Sequence, residues 1–372
     1  MALAQLRLIS FRNYSNQTVT FSNKLNLIIG RNAQGKTNLL EAINLLATTK
    51  SNRTGNDAEL IKWSREKGSI LGKLDHTEIE MIIEQNGKKY YINRKLRQAT
   101  DLIGKFLVVF FSPEDIRIIS GEPILRRKFL DRLLAITDKK YLAELSKLQR
   151  ILKIRNKILY MQRLGKKVSD LSIWNKQLVE TGSFVWSKRL SALAILNKIL
   201  TVISKKILVN QTLLLTLRNN LDLKTEELAD IKAKYQGKID RLGSLEQERA
   251  LTLVGPHRDD IQVEVEELIG ERFIKKDLKI FGSRGEQRAA ILALKLAELE
   301  FIENEKKSRP SLLLDDVLSE FDDDHQKLLI ATVYKQQTFI TSTSIDIFPL
   351  PLVKNSKVFY VSEGEVEAER PR

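Results

Sequence analysis

The first thirty positions of the chain fall into short β-like runs. Leu3, Leu6 and Leu8 lie on a partly alternating stretch, Phe11-Arg12-Asn13-Tyr14 turns it, and Thr18 to Phe21 resumes it. Leu25-Asn26-Leu27-Ile28-Ile29 is an apolar strand that stops at Gly30, after which Leu39, Leu40, Ile43, Leu45 and Leu46 recur at helical spacing. Between residues 70 and 110 the β pattern returns: Ile79, Met81 and Ile83 alternate, Asn86-Gly87 marks a hairpin turn, and Tyr90 and Ile92 follow. Leu107 to Phe111 is a further apolar run, closed by Ser112-Pro113.

From about Gly121 to about Gly243 the spacing predicts helices. Leu142, Leu145, Leu148 and Leu152 keep one face, and a stretch from Leu171 to Ile207 would span about 55 Å if straight. Alternation resumes at Ile261, Val263 and Val265, directly after Gly255-Pro256. A helix from Gly285 to about Glu305, a strand at Ser311 to Leu314, a helix around Asp323 to Tyr334 and a strand at Thr338 to Ile340 complete the pattern. The order predicts an α/β lobe built from both ends of the chain, residues 1–111 and 246–372, with a mainly helical second lobe, residues 112–245, inserted between them.

Charge gives that division a meaning. The 372 residues carry 62 Lys plus Arg against 47 Asp plus Glu, a formal net charge of +15. Gly121 to Asn210 alone holds 20 cations and 6 carboxylates, a net of +14, which leaves +1 for the rest. Such an imbalance on helices, where opposite charges are usually interspersed, points to a polyanionic partner, either nucleic acid or an acidic membrane face. Arg126, Arg127 and Lys128 form a run, and Lys153, Arg155, Lys157, Arg163, Lys166 and Lys167 cluster. All nine are candidates for DNA phosphate contact. Trp174, Phe184 and Trp186 sit near apolar helical positions and read as core, which favours salt-dependent duplex binding over base stacking. The chain has no cysteine and three scattered histidines, which argues against thiol chemistry and a histidine metal cage. With no spanning apolar window and no signal-like start, a soluble cytoplasmic protein is expected.

Gly30-Arg31-Asn32-Ala33-Gln34-Gly35-Lys36-Thr37 fits G-x-x-x-x-G-K-[ST] between a strand and a helix. There, backbone N–H groups curl around phosphate, Lys36 reaches the β and γ oxygens, and Thr37 offers a hydroxyl to Mg²⁺. Leu312-Leu313-Leu314-Asp315-Asp316 ends an apolar strand in two carboxylates, Asp315 for Mg²⁺ and Asp316 to orient an attacking water. Phe281-Gly282-Ser283-Arg284-Gly285-Glu286-Gln287 opens a helix about thirty residues earlier. Taken alone it is a helix cap; in this order it resembles the signature turn of the ABC-type ATPases.

The layout resembles the ABC-type ATPases, which implies an ATP-sandwiched dimer with Ser283 acting on the partner's nucleotide. Phe11-Arg12-Asn13-Tyr14, Asn38-Leu39-Leu40-Glu41-Ala42-Ile43 and Ser112-Pro113-Glu114-Asp115 are joined by Gly121-Glu122-Pro123, Arg126-Arg127-Lys128-Phe129-Leu130-Asp131, Gly255-Pro256-His257-Arg258-Asp259-Asp260 and Ser283-Arg284-Gly285. Over essentially the whole chain these resemble the RecF family of bacterial recombination and repair proteins. The resemblance implies an ATP-dependent DNA clamp working with RecO and RecR to load RecA at single-strand gaps, in repair, replication and the SOS response. It also places Arg12 near the nucleotide, where the residues alone suggest a solvated turn.

Two positions depart from that pattern. Glu286 stands where the family usually has glutamine, so an acidic group would face the partner's phosphates unless Arg284 or a neighbour compensates. Thr341-Ser342-Thr343 offers no histidine after the last core strand, so hydrolysis is expected to be slow, with Ser342 a candidate substitute. His257 and Arg258 read equally as functional groups or as braces. Rival readings are a transporter ATPase subunit, a chromosome-structural protein with long coiled-coil arms, and a nucleotide switch without useful turnover.

Overall fold

The computed structural model describes residues 2–166, 170–208, 210–223 and 225–368. In chain order the first elements are β1 (Leu3–Phe11), β2 (Tyr14–Thr20), β3 (Leu25–Ile29), α1 (Lys36–Thr48), β4 (Lys67–Leu74), β5 (Thr77–Glu84), β6 (Gly87–Ile92), β7 (Lys95–Arg97), α2 (Ala99–Leu102) and β8 (Val108–Phe111). Then come α3 (Arg117–Ser120), α4 (Pro123–Thr137), α5 (Lys139–Arg163), α6 (Ser172–Ile207), β9 (Gln211–Arg218), α7 (Leu228–Arg249), β10 (Asp260–Ile269), β11 (Arg272–Asp277), α8 (Leu278–Phe281) and α9 (Arg284–Lys306). The chain closes with β12 (Ser311–Asp315), α10 (Asp323–Val333), β13 (Thr338–Ser342), α11 (Leu350–Lys354), β14 (Ser356–Ser362) and β15 (Glu365–Ala368).

Two compact units emerge, Met1–Asp115 with Ile302–Arg372, and Ile116–Phe301. The first unit contains two six-stranded sheets. One is antiparallel, in the order β2-β1-β4-β5-β6-β7. The other, β15-β14-β3-β13-β12-β8, is parallel except for β15. Strands β3, β12 and β13 are buried at every residue, as a parallel strand covered on both faces must be. Helix α1 is buried nearly all round, and Leu39, Leu40, Ile43, Leu45 and Leu46 join a core shared with residues of both sheets. The loop from Gly30 to Gly35 therefore leaves the carboxyl end of a central strand, the usual ligand-binding edge of such sheets.

The second unit is built on α6, whose 36 residues correspond to about 54 Å of helix. Its buried residues, from Leu178 through Val185, Trp186, Leu196 and Ile203 to Ile207, keep the spacing of one face.

Two expectations change here. The middle of the chain is not helical throughout, because β9 pairs antiparallel with β10 from Asp260↔Arg218 to Glu267↔Gln211. Three consecutive leucines, Leu213 to Leu215, hide the period of two, yet only Leu213 and Leu215 are buried. That pairing carries β10, β11, α8 and most of α9 into the second unit. Its C-terminal boundary thus lies at 301/302, where the sequence suggested 245/246. No helix among the described residues is long and apolar enough to cross a membrane.

Candidate nucleotide site, signature turn and basic surface

The phosphate-loop motif takes a shape that its own residues and its neighbours both enforce. Gly35 has φ 122°, and a Cβ there would meet the Asn13 side-chain nitrogen at 2.7 Å. A Cβ on Gly30 would sit 2.4 Å from the Val361 carbonyl oxygen, so the first glycine is required by close approach. Asn13 Nδ2 donates to Gln34 O at 2.8 Å and Tyr14 Oη donates to Gly35 O at 2.8 Å. The Phe11-to-Tyr14 turn, a recognition motif in the sequence, is thus the brace of the loop. Arg31, Asn32 and Ala33 are exposed at its tip and Gln34 is half-buried.

Lys36 is 6% exposed, and its Nζ donates to Gly30 O at 2.7 Å and Arg31 O at 3.0 Å. Burial holds its ammonium below the usual lysine range, against the pull of Asp316 and Asp315. Thr37 Oγ1 donates to Asp315 Oδ1 at 3.0 Å, a bond across 278 residues of sequence. Thr341 Oγ1 donates to the same oxygen at 2.8 Å. Burial pushes the Asp315 carboxyl up, opposed by Thr341 and Thr37. The adjoining hydroxyl and carboxylate are hard oxygen donors, and a divalent cation would relieve the burial of Asp315, so the pair fits Mg²⁺. Asp316 follows with φ 55°, its N–H bonded to Thr341 Oγ1 at 2.9 Å, and burial raises its carboxyl too, with Lys36 opposing.

The β13 hydroxyl that bonds the Asp315 carboxylate belongs to Thr341, not to Ser342. Ser342 Oγ instead donates to Ser344 O and accepts from Ser344 N, closing a turn. Arg12 is not the solvated turn arginine that its residues alone suggest. Its Nε and Nη2 form a bidentate pair with the fully buried Glu41 at 2.9 and 2.8 Å, and Nη1 donates to Glu59 O. It is neither solvated nor unengaged.

In the second unit, Ser283, Arg284 and Gly285 are exposed at the start of α9. Ser283 Oγ accepts from Glu286 N at 3.2 Å while Glu286 Oε2 accepts from Ser283 N at 2.7 Å, a reciprocal capping box. Lys276 Nζ donates to Glu286 Oε1 at 2.8 Å. That hydrogen bond, with those from Ser283, holds the Glu286 carboxyl down at about 2. The compensating cation is therefore Lys276, on β11, and not Arg284.

The nine expected DNA contacts separate by burial. Arg126 and Arg155 are removed from the set, because both are internal. Arg126, 3% exposed, forms a bidentate pair with Asp260, and Arg155, 1% exposed, bonds Glu246, Thr252 and Asn175. Arg127 is half-buried and donates to the Asp259 carbonyl oxygen. Lys128, Lys153, Lys157, Arg163 and Lys166 are exposed, and Lys167 lies outside the described residues. Arg150, Lys153, Lys157, Tyr160 and Arg163 share one side of α5 at i, i+3, i+7, i+10 and i+13. Tyr160, which the sequence did not single out, is half exposed, and the Arg163 guanidinium lies 5.4 Å from its ring centroid. Of the three aromatics read as core, Trp186 is fully buried, while Trp174 and Phe184 are half-buried.

The Gly255-to-Asp260 motif is a structural hub of this unit. Arg189, 2% exposed, bonds Asp131, Asp259 and Pro256 O; Trp186 Nε1 donates to Asp259 Oδ2 at 2.7 Å. Burial alone would lower the Arg189 guanidinium, yet Tyr141, Asp131 and Asp259 keep it raised and charged. Arg258 donates to Thr252 O at 3.1 Å, and His257 Nε2 lies 3.3 Å from the same oxygen, so both brace the turn.

These environments give a pH prediction. Burial lowers the His257 pKa to about 4 and raises that of Asp259 to about 7, with Arg189 opposing the latter. The unfolded chain binds the His257 proton first, so that group's contribution to stability is lost as pH falls from about 6.5 to about 4. Asp259 acts with the opposite sign, weakening the fold as pH rises from about 4 through about 7. His257→Gln should therefore cost less at pH 5 than at pH 8 in thermal melts. An equal deficit at both would refute the assignment.

Residues 2–365 match the family described as the RecF/RecN/SMC N terminal domain. The chain is 39% identical to the DNA replication and repair protein RecF of Bacillus cytotoxicus over 380 residues, covering 100% of both. The RecF protein of Bacillus cereus is also 39% identical, over 382 residues and 100% of both. Two solved structures of the recombination mediator protein RecF in the RecFOR pathway, described as RecF-ATP and RecF-ATPrS, superpose with TM-score 0.89 at 33% identity. Each covers 99% of this chain and 98% of its own. An Smc head bound to the C-winged helix domain of ScpA shares the fold at TM-score 0.55 and 15% identity, over 99% of this chain and 97% of its own.

Proposed function

The chain belongs to the RecF family, within the wider RecF/RecN/SMC group, and on that premise we propose that it is an ATP-dependent DNA-binding protein of recombinational repair. ATP joins two copies head to tail, each supplying its phosphate loop to one nucleotide and its signature turn to the other. The observation that carries the reading is the junction of Lys36, Thr37, Asp315 and Thr341 at the end of a parallel strand.

The chain's own residues divide the work. The loop from Gly30 to Gly35 presents backbone N–H groups to phosphate, and Lys36, already dehydrated, exchanges two carbonyl acceptors for phosphate oxygens. Thr37 and Asp315 would hold Mg²⁺, which would supply positive charge against the phosphate oxygens. Asp316, its carboxyl raised by burial, orients and deprotonates the attacking water. With Thr341 as the hydroxyl beside the carboxylates and no histidine there, turnover is slow. Arg12 positions α1 through Glu41. Ser283 of the partner copy completes the site. Ile280 and Phe281, 68% and 65% exposed beside it, offer apolar surface for that contact.

DNA duplex binds along the cationic side of α5, with Lys128 and Lys166 as further contacts. RecO and RecR are the partners that the relatives' RecFOR pathway suggests, and loading of RecA at gaps is the outcome. Full coverage of relatives of the same length counts against both a transporter subunit and long coiled-coil arms.

Light scattering on the full chain tests this reading. ATP with Mg²⁺ should double the mass, and Ser283→Arg should leave a monomer that still binds ATP. A wild-type monomer under both conditions, or a Ser283→Arg dimer, refutes the sandwich.

A further inference from the structure

A helix N-terminus with an exposed serine is suited to receive an anion, but here that end already carries one. Glu286 Oε2 accepts the Ser283 N–H at 2.7 Å, the donor that an incoming phosphate would also use. A full negative charge in the capping box should repel a triphosphate arriving from a second copy. The other carboxylate oxygen, however, is held at 2.8 Å by Lys276, which reaches it from β11, opposite Val265 on β10. Both side chains remain partly accessible, 33% for Lys276 and 25% for Glu286, so the pair lies at the surface that a partner would cover.

We propose that Lys276 is the positioning residue of the signature turn: it neutralises Glu286 by holding Oε1 while Oε2 stays in the capping box, so that the partner's nucleotide phosphate can approach Ser283. The assignment rests on the head-to-tail reading above and adds to it a residue outside the nucleotide motifs themselves, on the strand before the signature turn. The carboxylate stays ionised at any working pH, so the lysine is needed throughout that range. It also makes the two residues energetically dependent on each other. Lys276 matters only while Glu286 is acidic.

ATP-induced dimerisation of the full chain, followed by light scattering across protein concentration, tests that dependence with four variants. Lys276→Ala should weaken the dimer about tenfold, while Lys276→Arg should match wild type. Glu286→Gln keeps the capping box without the charge and should dimerise at least as tightly as wild type. Lys276→Ala/Glu286→Gln should behave like Glu286→Gln alone. Binding of a fluorescent ATP analogue by the monomer should be unchanged in every variant, which also checks folding.

Equal weakening in Lys276→Ala and the double variant would make Lys276 a mere hairpin prop and overturn the assignment. So would a Lys276→Ala dimer as tight as wild type. A wild-type chain that binds ATP and stays monomeric would overturn the head-to-tail reading itself, and this assignment with it.

Discussion

Replacing Lys153, Lys157 and Arg163 together by glutamate is expected to lower duplex affinity by about 10²–10³-fold near ~0.1 M salt. The three are exposed on one side of α5, where the spacing of 153, 157 and 163 keeps them within reach of a single polyanion. Each phosphate contact releases counterions, so losing three should also reduce the slope of log affinity against log salt by about 3. Fluorescence anisotropy with a labelled duplex across salt concentration reads both quantities. ATP binding, built by the phosphate loop of the other unit, should not change. An unaltered salt slope would remove α5 from the DNA interface. Arg126 and Arg155 are left out of this reversal because their task is internal, and altering them would confuse binding with folding.

Arg189→Leu should have the largest effect on stability. It would leave Asp131 and Asp259 without the cation that both share, in an interior where Asp259 has no measurable exposure. Breaking a buried pair by deleting one partner costs about 3–5 kcal/mol, because the remaining charge stays desolvated. Asp259 would then take up a proton, which limits the loss but forfeits its charged bonds. In a unit of this size the loss corresponds to a fall in melting temperature of about 10 °C, read by circular dichroism. A change under about 2 °C would show that the network is dispensable. Because ATP binding uses the other unit, nucleotide titration of the variant at low temperature separates a local from a global defect.

The two predictions treat basic residues of one segment in opposite ways, and only the folded chain justifies that. In the sequence Arg155 is indistinguishable from Lys153 and Lys157, its neighbours in a cationic run. Its burial depends on Glu246, 91 residues away, just as that of Arg126 depends on Asp260, 134 residues away. Spacing along a helix predicts which residues share a face but not which face another element covers. The same limit concealed β9, whose strand character depends on pairing with β10, and it shifted the C-terminal unit boundary. It also hid the opposite case, Tyr160, an aromatic left outside.

Much of the nucleotide site was legible beforehand, because a phosphate loop is eight consecutive residues whose chemistry is local. Gly30, Gly35, Lys36 and Thr37 can be recognised from the strand before them and the helix after. The carboxylates at Asp315 and Asp316 were legible as the end of an apolar strand. Their relation to Thr37 was an inference from chain order until the alignment of β12, β13 and β3 placed them together. Which hydroxyl faces them, Thr341 or Ser342, was decided by strand register, since side chains alternate and a shift of one residue exchanges them.

By itself, then, the sequence determined the order of strands and helices, the phosphate loop and the confinement of positive charge to one segment, since each depends on residues near one another in the chain. Tertiary structure decided which cations face water, which lysine answers Glu286, and what Arg12 and Arg189 hold. Those outcomes are set by partners from 10 to 134 positions away. Burial and charge pairing are properties of a neighbourhood in space, and local sequence does not specify it.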